Sequence, residues 1–281
     1  MIEAILTAAA AVGSIGALCA VMLVIAAKFM SVREDQTEKK LRGCLPGANC
    51  GACGYTGCDG YAKALASGQE QSTNLCRPGG DAVSRAISDI LGSQFEDTVE
   101  QVAVVHCNGT CDKTGKKAVY DGIDTCTGAR MLYGGDGECV FGCLGRGDCA
   151  SVCPEDAICM ESGIARVDTE KCVGCGICVK ACPNRIITLM PDFKRQVVLC
   201  SNEEKGALTR KKCSVGCIAC KKCEKACPHD AIHVENNLAR IDYDKCTSCG
   251  ECSRVCPVGC ISNDDYRGKY NCGKEKSEGT D

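Results

Sequence analysis

CVGCGICVKACP (172–183), CIACKKCEKACP (217–228) and CTSCGECSRVCP (246–257) decide how this chain is read. Each is a Cys-x2-Cys-x2-Cys-x3-Cys-Pro run: Cys172, Cys175, Cys178 and Cys182; Cys217, Cys220, Cys223 and Cys227; Cys246, Cys249, Cys252 and Cys256. That spacing brings thiolates onto [4Fe–4S] cubes. Three cysteines of a run hold one cube, and the fourth reaches the cube of a partner run. Three closely spaced cysteines wrap only one side of a cube, so the fourth ligand has to come from elsewhere. The proline stops the backbone continuing as a regular element. Four of the seven prolines directly follow cysteine, and the extra one, Pro154 after Cys153, marks a fourth, incomplete run.

The chain copies itself around these runs. A shift of 74 carries Cys139, Cys143, Cys149 and Cys153 onto Cys213, Cys217, Cys223 and Cys227, and the run at Cys172 onto the run at Cys246. Neighbours agree: CPEDAI (153–158) matches CPHDAI (227–232), and ARVDTEKC (165–172) matches ARIDYDKC (239–246). Two tandem dicluster ferredoxin-like modules follow, each needing eight thiolates. The copies differ where Cys220 faces Arg146. Cys139 is the expected substitute, giving Cys139, Cys143, Cys149 and Cys182 for one cube and Cys172, Cys175, Cys178 and Cys153 for its companion. The second copy gives Cys217, Cys220, Cys223 and Cys256, then Cys246, Cys249, Cys252 and Cys227, with Cys213 surplus or displacing one of these. Cys126 and Cys200 are also 74 apart, which makes each a candidate for its own module and leaves its role open. Cys159, Cys260 and Cys272 follow no pattern.

A second kind of unit precedes the modules: CLPGANCGACGYTGCDGYAKALASGQEQSTNLCRPGG (44–80). Cys50, Cys53 and Cys58 line one side of a cube and Cys76 returns after a short helix, so a lone [4Fe–4S] cluster is expected. Glycines among the ligands let backbone N–H groups approach sulfur, a lever on reduction potential. Cys44 reads as an ordinary thiol. Cys107, Cys111 and Cys126 are one short of a set. They read equally as a site with a borrowed ligand and as structural thiols. Twenty assigned thiolates make at least five clusters.

Thirty cysteines in 281 residues exceed the roughly 8–10 per cent that flags a disulfide scaffold in short secreted chains. Such scaffolds do not repeat Cys-Pro in this frame. Zinc sites favour four-ligand knuckle pairs, often with histidine, and this chain has three histidines. Free thiols in this number need a reducing compartment. With no Trp and four Phe the core is thin, so clusters have to supply part of the interior. A net charge of −3 gives no reason to expect nucleic acid.

Residues 4–27 carry no charge and are long enough for a bilayer span, which takes about 20 apolar residues. The stretch lacks a basic n-region, so an uncleaved anchor is expected over a signal peptide. Lys28, Arg33, Lys39, Lys40 and Arg42 put the following domains in the cytoplasm. Ala9, Gly13 and Ala17 share a helix face suited to close packing on another membrane subunit. The spacing of Val83, Ala86, Ile87, Ile90 and Leu91 predicts a helix over 81–91, stopped by Gly92, and 98–105 reads as a strand. Lys205, Arg210, Lys211, Lys212, Lys221, Lys222 and Lys225 form a basic run, either a solvated face or a docking patch for an acidic electron carrier. The expected organisation is α+β: anchor 1–30, [4Fe–4S] domain 31–92, connector with extra cysteines 93–138, modules 139–190 and 191–262, and a polar, disordered tail 263–281.

An N-terminal apolar helix, then CLPGANCGACGYTGCDGYAKAL with the later LCRPGG, then ferredoxin modules, resembles the B subunits of Rnf complexes, in the two-module form of anaerobic bacteria. That resemblance implies electron relay from reduced ferredoxin toward NAD, coupled to Na+ or H+ movement in partner subunits at the cell membrane. It places the lone-cluster ligands on Cys50, Cys53, Cys58 and Cys76, and it meets its one departure at Arg146. The chain has no Gly-x-Gly-x-x-Gly fingerprint and only one apolar span, so NAD chemistry and ion transport belong to other subunits. No acid–base or nucleophile constellation stands out, and the cofactors carry the chemistry. The alternatives are a polyferredoxin subunit of another membrane redox complex and a reducing system for an iron–sulfur transcription regulator.

Overall fold

The computed structural model describes residues 2–29, 36–95, 97–191, 196–262, 270 and 272. Helix α1 (Ile2–Phe29) opens the chain. Its side chains are described from Gly13 onward, and Ile15, Leu18, Leu23 and Val24 are all exposed. The start of the apolar stretch, including the side chain of Ala9, lies outside the described residues. Among the described residues no helix is long and apolar enough to cross a membrane.

Helices α2 (Gln36–Cys44), α3 (Gly57–Ala66) and α4 (Gly80–Leu91) form the first compact unit. Leu41, Tyr61, Leu65 and Ile87 fill its centre beside Cys58 and Cys76. The Tyr61 hydroxyl donates to the Ser72 carbonyl at 2.7 Å, which satisfies the one polar atom this large side chain buries. The helix expected over 81–91 is α4, and Gly92 ends it at φ +66°, a conformation that costs glycine nothing.

Strand β1 (Gln101–Val105) is the strand expected over 98–105. It pairs antiparallel with Ile187–Pro191, Val104 opposite Thr188, so a segment read as a connector contributes to the first module. Next come α5 (Cys126–Met131), α6 (Asp148–Ser151), β2 (Ile158–Glu161), β3 (Ile164–Val167), α7 (Ile177–Ala181) and β4 (Ile187–Pro191). The second module holds α8 (Gly206–Lys212), α9 (Lys222–Ala226), β5 (Ile232–Glu235), β6 (Leu238–Ile241) and α10 (Glu251–Arg254).

The repeat persists in three dimensions. Ile158 pairs with Val167 in the β2–β3 hairpin, and the equivalent Ile232 pairs with Ile241 in β5–β6. Each hairpin lays small aliphatic side chains against cysteines: Ile158, Ile164 and Ala165 in one core, Ile232, Leu238 and Ala239 in the other. Where the first module has the β1–β4 ladder, the second has a single bridge, Val198 to Ile261.

The modules are joined through a small core of Val102, Val104, Met190, Val197 and Leu199. His106 ties the same seam: its ring nitrogens lie 2.7 Å from the Val198 carbonyl and 2.7 Å from the Thr188 hydroxyl. Burial depresses its pKa, which leaves the ring neutral, with Nδ1 donating to the carbonyl.

The tail departs from the expected disorder at both of its described residues. Tyr270 stacks over the Arg166 guanidinium at 4.7 Å, and Cys272 is disulfide-bonded to Cys159. The rest of 263–281 lies outside the described residues.

Ile164 is fully buried between hairpin and cysteines. Ile164→Ala should cost about 2–5 kcal/mol. The check is the denaturant midpoint for loss of visible absorbance under anaerobic conditions; an unchanged midpoint would place Ile164 outside the packed core.

Candidate iron–sulfur sites

All four cluster-type loops share one backbone device. The second residue after the opening cysteine and the residue two before the third cysteine both have positive φ: Gly145 and Gly147, Gly174 and Gly176, Ala219 and Lys221, Ser248 and Gly250. (In the first of these loops Arg146 takes the second cysteine's place.) At Gly174 glycine is obligatory, because a Cβ there would strike the Gln101 carbonyl of β1. Ala219, Lys221 and Ser248 hold the same shape with side chains, at an expected cost of order 1–3 kcal/mol each. The reward is the direction of the backbone dipoles, because N–H groups turn toward sulfur. Ala157 donates to Cys153 at 3.4 Å, and its repeat-equivalent Ala231 donates to Cys227 at 3.4 Å. Ala103 of β1 donates to Cys172, Ala165 to Cys143 and Ser248 to Cys246, each at 3.4 Å.

These loops, with α3 in the first unit, gather the cysteines into sets. Cys50, Cys53, Cys58 and Cys76 come together, and burial plus the three neighbours pushes the Cys76 thiol up to about 11. Cys172, Cys175 and Cys153 surround Cys178, whose thiol rises to about 12 through burial first and then these neighbours. In the second module Cys217, Cys220, Cys223 and Cys256 line one cavity, with Cys260 a fifth thiol on its wall. Cys227, Cys246, Cys249 and Cys252 line another.

The geometry departs from the spacing argument in one place. The remaining first-module cavity is lined by Cys126, Cys143, Cys149 and Cys182. Cys139 is not on its wall. It lines a different cavity with Cys107, Cys200 and Cys213. The reason lies at Arg146, which stands where the second copy has Cys220. Its guanidinium turns outward to Asp124 at 2.6 Å and Asp136 at 3.2 Å and lies 4.9 Å over the Tyr120 ring. Those contacts hold the 120–136 segment against the loop. Asp148 of α6 then accepts the N–H of Cys126 at 2.7 Å and of Thr127 at 3.0 Å, which fixes the N-terminus of α5 with Cys126 facing the cavity. The one available hint was the 74-residue equivalence of Cys126 and Cys200.

The donor sets fit iron–sulfur cubes. They are all sulfur. Burial first, with neighbouring thiols adding to it, pushes Cys149 and Cys223 up to about 12 and Cys252 to about 11, whereas Cys217, hydrogen-bonded to the Cys260 thiol, is lowered to about 6. A cationic centre offsets both burial and mutual repulsion where they act. Among the described residues no group of three or more His, Cys, Asp or Glu side chains closes tightly enough to hold a single metal ion. A four-iron cube spreads its thiolates farther apart than one ion does.

Comparison with known proteins agrees. Family models described as "Putative Fe-S cluster", "4Fe-4S binding domain" and "4Fe-4S dicluster domain" match residues 45–78, 165–188 and 212–263. The chain is 45% identical, over 96% of its length and 81% of the relative's, to the B subunit of the Na(+)-translocating ferredoxin:NAD(+) oxidoreductase complex of Acetobacterium woodii. It belongs to the B-subunit family of Rnf complexes. Two further members of that family are similar to it. The B subunit of the proton-translocating ferredoxin:NAD(+) oxidoreductase complex of Clostridium ljungdahlii is 40% identical over 83% of this chain and 82% of the relative. The B subunit of the ion-translocating oxidoreductase complex of Methanosarcina acetivorans is 38% identical over 88% and 94%. The three matched regions lie in the 44–80 unit, the second half of the first module and the second module, which marks the chain as a multiple iron–sulfur protein.

Cys126→Ala should remove about four irons per chain, whereas Cys44→Ala, outside these sets, should remove none. Iron and acid-labile sulfide analysis of anaerobically purified protein reads the difference, and full iron content in Cys126→Ala would return the ligand role to another thiol.

Proposed function

We propose that this chain takes single electrons from reduced ferredoxin and relays them through [4Fe–4S] clusters toward NAD-reducing partner subunits of a membrane Rnf-type complex. Supporting this is the contiguity of its cysteine sets. Cys149 of one first-module set is within electrostatic reach of Cys178 and Cys182, and Cys175 of the other set is within reach of Cys50 in the first unit. Bound cubes supply one-electron chemistry without proton transfer or bond cleavage. The chain's own residues do the rest. The N–H donors stabilise the more negative, reduced state at the sulfurs they reach, and the aliphatic hairpins pack against the sulfurs.

The five ligand sets of this reading are Cys50/53/58/76, Cys153/172/175/178, Cys126/143/149/182, Cys217/220/223/256 and Cys227/246/249/252. Helix α1 is the membrane anchor in the same reading. Its apolar side chains are exposed from Ile15 to Ile25, and the basic residues that follow place the cluster domains in the cytoplasm. Ion movement and the NAD site lie in partner subunits.

Ferredoxin docks on the basic face of the second module. Lys205, Arg210, Lys211, Lys221, Lys222 and Lys225 are exposed there, next to the exposed Cys220, while Lys212 is held by Glu204 at 2.5 Å. The packing of the α8 N-terminus onto the Ile218 carbonyl draws the two halves of the basic run together. Charge there steers an acidic carrier to the cluster edge.

The test uses ferredoxin-driven NAD reduction by the anaerobically purified complex. Cys178→Ala should stall turnover, and full activity would refute the relay order through that set. Reversing Lys221, Lys222 and Lys225 to Glu should raise the KM for ferredoxin by roughly tenfold at low salt and leave kcat unchanged, with the difference shrinking as salt screens the field. An unchanged KM would move the docking face elsewhere.

A further inference from the structure

We propose that Cys107, Cys139, Cys200 and Cys213 hold a sixth iron–sulfur cube, seated in the seam between the two modules. None of the runs contains this set. It is assembled from the loop after β1, the head of the first module, the inter-module segment and the end of α8.

The four thiols line one cavity of about 490 Å³, counted out to its mouth. Three are buried, and none of the four is in a disulfide. Glycines wall the space. A methyl group on Gly109 would stand 3.5 Å from the Cys213 sulfur and 3.7 Å from that of Cys107; one on Gly142 would stand 3.6 Å from Cys107 and 3.7 Å from Cys139. The sulfurs therefore ring a common space. The enclosed part of that space, about 40 Å³, is walled by sulfur and glycine.

Every one of the four sulfurs accepts N–H bonds, as ligands of the other sets do. Cys107 accepts from Cys143 at 3.4 Å, and Cys200 from Cys217 at 3.3 Å and Asn202 at 3.4 Å. Cys139 accepts from the Asn202 side-chain amide at 3.4 Å, and Cys213 from the backbone at Val215 and Gly216. Asn202 is 1% exposed, so one buried residue addresses two of the sulfurs, and its side-chain carbonyl oxygen is occupied by the Glu204 N–H at 2.7 Å. The donor set is sulfur alone, with no imidazole or carboxylate on the cavity wall. That chemistry suits iron–sulfur or zinc, and four thiols from four separate segments, with no closely spaced knuckle pair among them, favour the cube.

The repeat explains why these thiols are available. Cys126 serves the first module because Arg146 replaces a ligand. Its equivalent Cys200 is released because Cys220 is present. The expected substitute Cys139 and its equivalent Cys213 are then both free to face each other. The site also contacts one ligand candidate of each module: Cys143 and Cys217 line module cavities and put their N–H groups onto the sulfurs of Cys107 and Cys200. Only the role of the site rests on the relay reading. In that reading these four thiolates would hold a one-electron carrier between the modules, reduced by one electron that originates in reduced ferredoxin and reoxidised when it passes that electron on.

Anaerobically purified full-length protein should contain about 24 irons and 24 sulfides, six cubes of four. Cys139→Ser and Cys213→Ser should each fall to about 20 and lose one component of the reduced electron paramagnetic resonance spectrum. Cys111→Ser, an exposed thiol off the cavity wall, should keep all of them. Should the serine variants fail to fold, Asn202→Leu retains every thiol; it should keep about 24 irons and move one component to lower potential in a redox titration. About 20 irons in the unmodified protein, zinc in place of the last four, iron-replete serine variants, or an unmoved titration of Asn202→Leu would each overturn the assignment. Twenty irons with intact ferredoxin-driven NAD reduction would remove this site and leave the relay. Twenty-four irons without that activity would do the reverse.

Discussion

The gathering of sulfur in fours is the constraint under which the rest of this chain is built. Burial and neighbouring thiols oppose ionisation at several of these sulfurs, as the shift of Cys178 to about 12 illustrates, while Cys217, hydrogen-bonded to Cys260, is lowered to about 6. The surrounding aliphatic side chains are small and few, and with no Trp and four Phe they do not make a substantial core alone. The left-handed residues Ala219, Lys221 and Ser248 add backbone strain. A cationic cluster removes all three difficulties at once. Folding and loading are therefore linked.

Spacing made the local part of this arrangement legible. Three cysteines within seven residues have few ways to share a cube, and the proline after the fourth marks where the chain crosses to the partner set. The hairpins were implied by the matched segments 153–158 and 227–232, and they pair in registers 74 residues apart. What spacing did not supply was any ligand brought by tertiary contact. Cys139, four residues before Cys143, was the nearest substitute in sequence. Cys126 is nearer in space, because the Arg146–Asp124 and Asp148–Cys126 contacts pull α5 onto the loop. The anchoring of Cys272 to Cys159, 113 residues away, was equally invisible, since no local pattern surrounds either cysteine.

Arg146 shows how an ion pair can matter for position rather than for stability. Asp124 is largely exposed, and a pair of that kind contributes about 0–1 kcal/mol. Asp136 is 7% exposed; although burial pushes its carboxyl up, Lys116 and Arg146 hold it below the usual range. The result is a fixed 120–136 segment, and with it a remote cysteine at a cavity that the local run leaves one thiol short.

The two copies therefore solve the same coordination problem differently, and the difference has a consequence for the seam. A perfectly repeated pair would use its ligands within each module and leave the join to apolar packing among Val102, Val104, Met190 and Val197. Here the join is also polar and rich in sulfur. His106 bonds across it, and Cys143 and Cys217 direct their N–H groups into it from opposite sides. The first module in turn faces the N-terminal unit through Cys175 and Cys50. The sulfur sets thus follow one another from the basic face of the second module to the unit beside α1. An order of that kind needs no moving part, because an electron changes the charge of each site in turn and leaves every covalent bond in place.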